Sequence, residues 1–208
     1  MAADTADLTT GAGLAFARAA FYRFLAKAFA YPKRGTVEVL RDEWPSTELT
    51  EAWPEPQAAA VRAAHDVLER EFSGLTDDRF ESSHIATYGH TMPEGYPPHE
   101  TRYGSTHPFQ ETQDLADVSA FYAAFGLRAK GGVGERVDHI WLELEFMHFL
   151  AVKQLVALER DEPEGVERTL EAARGFLKDH IGRWAPVFGE ILAKKAPCSL
   201  RRALGALL

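Results

Sequence analysis

Apolar residues recur at helical spacing in segment after segment of this chain, and glycine or proline closes most runs. Leu14, Ala17, Phe21, Phe24, Leu25 and Phe29 repeat at intervals that predict an amphipathic first helix, stopped by Pro32, with Arg18 and Lys27 on its outer face. A short helix is expected over Thr36 to Asp42, then an irregular connection over 44–56, which holds three prolines and two tryptophans. "QAAAVRAAHDVLEREF" predicts a helix opened by Pro56 and ending near Ser73-Gly74, and Thr76 or Asp77 caps a helix running to Tyr88. Helices resume at about Phe109 to Phe125, closed by Gly126, at about Glu135 to Leu158, and at about Glu164 to His180. Segments at roughly Gly182 to Lys195 and Ser199 to Leu207 complete the set. Neither an alternating strand pattern nor an internal repeat is present. The expected fold is all-α, a single globular multi-helix bundle over residues 1–208.

Composition narrows the function classes. Hydrophobic residues make up 46% and charged residues 26%, so the chain has what a packed core needs. Lys and Arg total 23 against 31 Asp and Glu, a formal net charge of -8. That balance argues against nucleic acid as a partner and suits a positively charged one. Cys198 is the only cysteine, which rules out an intramolecular disulfide and a zinc site built on several cysteines. "GLAFARAAFYRFLAKAFAYP" looks like a signal-peptide core, but Arg18, Arg23 and Lys27 interrupt it. The expectation is a cytoplasmic protein with no stable membrane insertion.

One stretch breaks the helical pattern. Residues 89–108 contain four prolines and three glycines without a period, and include "GYPPHETRYG", Gly95 to Gly104. A loop of this length in a compact domain is functional or disordered, and its aromatic residues argue against disorder. His84, His90, His99 and His107 flank or lie in it, at spacings that match no common zinc pattern. Glu81-Ser82-Ser83-His84 and Glu145-Phe146-Met147-His148 each fit Glu-x-x-His, the motif of ferritin-like di-iron bundles. A di-iron helical-bundle enzyme is therefore an alternative reading. The first helix lacks the acid it requires, however, and neither Glu69 nor Glu111 has an obvious place in the helix order. There is no Gly-x-Ser-x-Gly nucleophile motif and no P-loop lysine beside Gly131-Gly132-Val133-Gly134. No catalytic set, metal site or cofactor is expected.

"VDHIWLELEFMHFL", Val137 to Leu150, carries an apolar face of Ile140, Leu144, Met147 and Ala151, widened by Phe146, Phe149 and Leu150. Asp138, His139, Glu143 and Glu145 gather beside it. They make either a solvated flank on a core helix or an acidic rim around an apolar groove.

"PPHETRYG" followed some forty residues later by "ERVDHIWLELEFMHFL" resembles the TorD/DmsD/NarJ family of redox-enzyme maturation chaperones. Pro97, Pro98, Glu100 and Tyr103 match the family's loop, and Asp138, His139 and Glu143 to Met147 match its helix. "FLKDHIGRWAPVFGEIL", Phe176 to Leu192, is similar to its late helix pair, and the likeness spans roughly residues 12 to 195. His99 stands where the family usually has an aromatic residue, and Thr101 replaces a serine. The resemblance implies a TorD-like fold and a non-enzymatic role. The partner it implies is the apo catalytic subunit of a molybdoenzyme of the dimethyl sulfoxide reductase type. Its twin-arginine signal peptide, or N-terminal segment, would be held until the molybdenum cofactor is inserted. Asp138, Glu143 and Glu100 would then accept hydrogen bonds from guest arginines. Tyr88, Tyr96 and Tyr103 would supply aromatic contact area, and Pro97 and Pro98 would stiffen the loop around His99. Asp138 and His139 lead this set. The residues assign no contact to the cofactor or to a nucleotide, and the chain is expected to be a monomer or a dimer.

Overall fold

Helix α6 (Ile140–Glu159) is apolar around most of its circumference, and such a helix is stable only inside other helices. The computed structural model places it there and describes residues 11–43, 57–89, 95–104, 108–129 and 136–208. Nine α-helices are formed among these residues: α1 (Gly11–Phe29), α2 (Thr36–Asp42), α3 (Gln57–Ser73), α4 (Asp77–Tyr88), α5 (Pro108–Ala124), α6, α7 (Pro163–Asp179), α8 (Ile181–Lys195) and α9 (Ser199–Gly205). A 3-10 turn at Glu100–Arg102 lies between α4 and α5. The described part is all-α, with no strand and one isolated β-bridge. No described helix is long and apolar enough to cross a membrane. The irregular connection expected over 44–56, most of the glycine-rich turn before α6, and both ends of the proline-rich loop lie outside the described residues.

Helix α1 packs antiparallel along α6. Ala19 O meets His148 Nδ1 at 2.9 Å, while Arg18 Nη2 donates to Gln154 Oε1 at 3.0 Å. The buried surface of α1 differs from the expected one. Ala15, Ala17, Ala19, Ala26 and Ala28 are buried beside Phe24, Leu25 and Phe29, while Leu14 is exposed. Small side chains let the two helix backbones approach, so alanines carry much of the interface. Arg18 is correspondingly drawn to Gln154 and does not stand on an outer face.

Helices α7 and α8 form a hairpin broken at His180, whose backbone leaves the helical region (φ -127, ψ -106). Helix α9 then folds back on α8 at very close range. A Cβ placed on Gly189 would lie 2.6 Å from Gly205 O and 2.8 Å from Leu208 Cβ, so only glycine fits this crossing. Gly189→Ala is expected to destabilise the chain by about 1–3 kcal/mol through overpacking. A lower midpoint in urea denaturation with an unchanged slope would register it, and an unchanged midpoint would contradict the close crossing.

Arg201 of α9 is fully buried beneath this layer. It donates to Ala28 O at 2.9 Å, to Phe80 O at 3.4 Å and to Ser83 Oγ at 3.2 Å. Its guanidinium sits 4.5 Å from the Phe80 ring centroid. One side chain thereby takes up carbonyl oxygens at the end of α1 and inside α4, where water does not reach.

Candidate functional site

The proline-rich loop and the start of α6 are joined through their backbones. Pro98 restricts Pro97 to extended conformations, and His99 continues the extended course (φ -133, ψ 130). His139 is extended too (φ -79, ψ 138), and the two histidines form an antiparallel bridge. Ile140 N donates to Pro98 O at 3.0 Å, and Glu100 N donates to Asp138 O at 3.0 Å. This bridge explains why α6 begins at Ile140 and not near Glu135. The peptides around 138–140 are held extended by the loop, and His139 becomes the N-cap, its Nδ1 accepting from Trp141 N at 3.2 Å.

Asp138 completes the joint from below. It is fully buried, and its Oδ2 accepts from Thr101 N at 3.2 Å and Thr101 Oγ1 at 2.8 Å. Arg136 approaches in a fork, with Nε 3.0 Å from Oδ1 and Nη2 3.1 Å from Oδ2, and also reaches Glu111 at 2.9 Å. His99 Nδ1 lies 3.6 Å from Oδ1. Burial on its own would raise the pKa of this carboxyl. His99, Arg136 and Thr101 outweigh that effect and hold it well below its ordinary value. Asp138 therefore does accept a bidentate arginine, but the arginine belongs to the same chain. Thr101 supplies the hydroxyl that a serine would.

Glu143 is also fully buried, so Asp138 and Glu143 form neither a solvated flank nor an exposed acidic rim. Its Oε2 accepts from Trp184 Nε1 at 3.0 Å. Glu100 turns toward the fold, with its carboxylate 3.1 and 3.2 Å from His180 Nδ1. Tyr103 stacks on Trp184, ring centroids 5.4 Å apart. Tyr88 is buried against Arg201 and His84. His99 is buried as well, its ring set edge-on to His139 at 4.9 Å. Partial burial, reinforced by His99 and His84, lowers His139 to about 3, so its ring is neutral near neutrality. The residues of the set left half-exposed are Tyr96, Pro97, Glu100, Tyr103 and His139, and Trp141 joins them. A polar cavity of 210 Å³ opens beside Tyr103, lined also by Glu100, Asp114, Arg183 and Trp184.

Arg136, Thr101, His180 and Trp184 are the supporting residues that sequence reasoning passes over. A signal was available in the segment "KDHIGRW", where His180 and Trp184 stand four apart and so share one side of the chain. The residues of the two Glu-x-x-His matches have separate surroundings. Glu81 accepts from Tyr31 at 2.5 Å, His84 packs against Tyr31 and Tyr88, Glu145 is exposed, and His148 meets Ala19 O. Among the described residues no group of three or more His, Cys, Asp or Glu is arranged to hold a metal ion. His90 and His107 lie outside those residues.

A loop bridged to the head of a central helix, within an all-α chain, is the setting in which the comparisons fall. The family model described as the nitrate reductase delta subunit matches residues 45–190, and the chain belongs to that family, whose relatives include the TorD-like chaperones. The perchlorate reductase assembly chaperone protein of Dechloromonas aromatica (strain RCB) is 34% identical over 121 residues, 56% of this chain. That match spans 51% of the relative's own length, about half. The chlorate reductase assembly chaperone protein of Ideonella dechloratans is 28% identical over 177 residues, covering 85% of this chain and 77% of the relative. Both relatives are named as assembly chaperones and not as catalysts.

Proposed function

We propose that this chain is a system-specific chaperone that assembles a molybdenum-containing oxidoreductase. It binds the twin-arginine signal peptide, or N-terminal segment, of the apo catalytic subunit in the cytoplasm and holds it until the cofactor is in place. Family membership over residues 45–190 and two relatives named as reductase assembly chaperones support the reading. The observation that carries it to a site is the bridge between His99 and His139, which unites the two motifs of the family likeness in one surface.

The half-exposed Tyr96, Pro97, Tyr103, His139 and Trp141 are the guest-facing residues in this reading. They offer aromatic and apolar area for a short hydrophobic segment, and π faces for guanidinium groups. Asp138, Glu143, Pro98 and His99 act from beneath by holding that surface in shape, which reduces the freedom lost on binding. Tyr88 and Glu100 belong to the same support.

Calorimetric titration with the twin-arginine peptide of the client molybdoenzyme subunit tests the assignment. Tyr96→Ala with His139→Ala is expected to weaken binding by about ten-fold or more, the effect of truncating central aromatic contacts. Wild-type affinity in that double variant would remove the site, and no binding by the wild-type chain would remove the function.

A further inference from the structure

Three ionisable side chains from three elements meet under the loop. Glu100 comes from the 3-10 turn, Glu143 from the first turn of α6, and His180 from the break between α7 and α8. Glu143 is fully buried; Trp184 donates to its Oε2, while Oε1 has no donor. As a carboxylate, Glu143 would be a buried anion beside two others, Glu100 and Asp138. As a carboxylic acid it has a proton to give, and the neighbouring Glu100 carboxylate can accept it.

The other charged groups around this trio are engaged elsewhere or stand at the surface. Before α6, Arg136 is committed to Asp138 and Glu111. From α5, the Tyr122 hydroxyl donates to Val137 O at 3.0 Å, and Asp114 lines the small cavity beside Glu100. From α8, Arg183 lines the same cavity and its Nη1 donates to Asp179 O. On the loop, Tyr103 is stacked on Trp184. The His180 ring, through Nδ1, is hydrogen-bonded to the Glu100 carboxylate.

We propose that Glu143 keeps a proton in the folded chain and donates it to Glu100, so that a shared proton latches the 95–104 loop to the bundle and its loss at alkaline pH releases the loop. The latch is a property of the chain itself and does not depend on which guest the loop meets. Burial first, and then the charge of Glu100, push the Glu143 carboxyl well above its ordinary range. A group raised on folding adds stability below its unfolded value and loses that contribution as pH rises through its folded value.

Hydrogen exchange of the full chain, corrected for intrinsic rates, reads the latch at the Glu100 and Thr101 amides. In the wild type their protection is expected to fall by about ten-fold per pH unit above the Glu143 titration. Glu143→Gln presents a neutral amide that donates to Glu100 and accepts from Trp184, so its loop protection is expected to stay flat over the same range. Wild-type protection that stays flat over the whole alkaline range in which the chain remains folded, or an equal fall in Glu143→Gln, would overturn the proposal. Carbon-13 carboxyl shifts of the wild-type chain need no variant: a protonated Glu143 at neutral pH supports the latch, and an ionised one overturns it.

Discussion

Asp138→Ala is expected to lower stability by about 3–5 kcal/mol, the loss seen when one partner of a buried ion pair is removed. The Arg136 fork, the Thr101 hydroxyl and the Thr101 amide would all lose their acceptor together, and the loop would lose its support from below. Guanidinium denaturation measures the stability, and exchange of the Thr101 amide measures the attachment of the loop. A loss under about 1 kcal/mol would mean the pair is no anchor. The pH dependence adds a signature. Asp138 titrates below its ordinary value of 3.8, so its contribution is present above that value and is lost as pH falls through the folded one. Asp138→Asn should flatten this acid limb. Its sign is opposite to that of Glu143, five residues away, because Asp138 has donors on both oxygens while Glu143 has one donor and an anionic neighbour.

Arg201→Ala is expected to cost about 3 kcal/mol or more. Ala28 O would be left in a dry interior without its donor, Phe80 O would keep the Ser83 hydroxyl alone of its side-chain donors, the Phe80 ring would lose its cation, and a cavity the size of the side chain would open. Arg201→Lys keeps a charge and loses the fork, so an intermediate loss is expected. Thermal unfolding of the three proteins ranks them, and equal midpoints would show that water reaches these carbonyls.

Helical spacing read from the sequence places the helices within a few residues, since each is set by its own apolar period and its own cap. Thr76 is such a case: its side chain accepts from Arg79 N, a local contact with a local signal. The start of α6 is different, because the extended backbone around Asp138 and His139 depends on a strand partner some forty residues earlier. The proline loop and the α6 motif are legible as a pair, and they do meet. The orientation of their acids is not legible. Whether Glu100 turns inward is decided by His180, eighty residues on, and whether Glu143 is buried is decided by Trp184. A carboxylate beside an apolar stripe reads the same in sequence whether solvent or an indole stands over it.

The bridge between His99 and His139 has a consequence for how such a surface can change. Its bonds run between peptide groups, Pro98 O with Ile140 N and Asp138 O with Glu100 N, and no side chain carries them. Mounting and facing are thus separate parts of the molecule. Substitutions at half-exposed Tyr96 or exposed Arg102 can alter what the loop grips while the mount stays intact. A scaffold of this kind can be retargeted from one guest to another in single, individually tolerated steps.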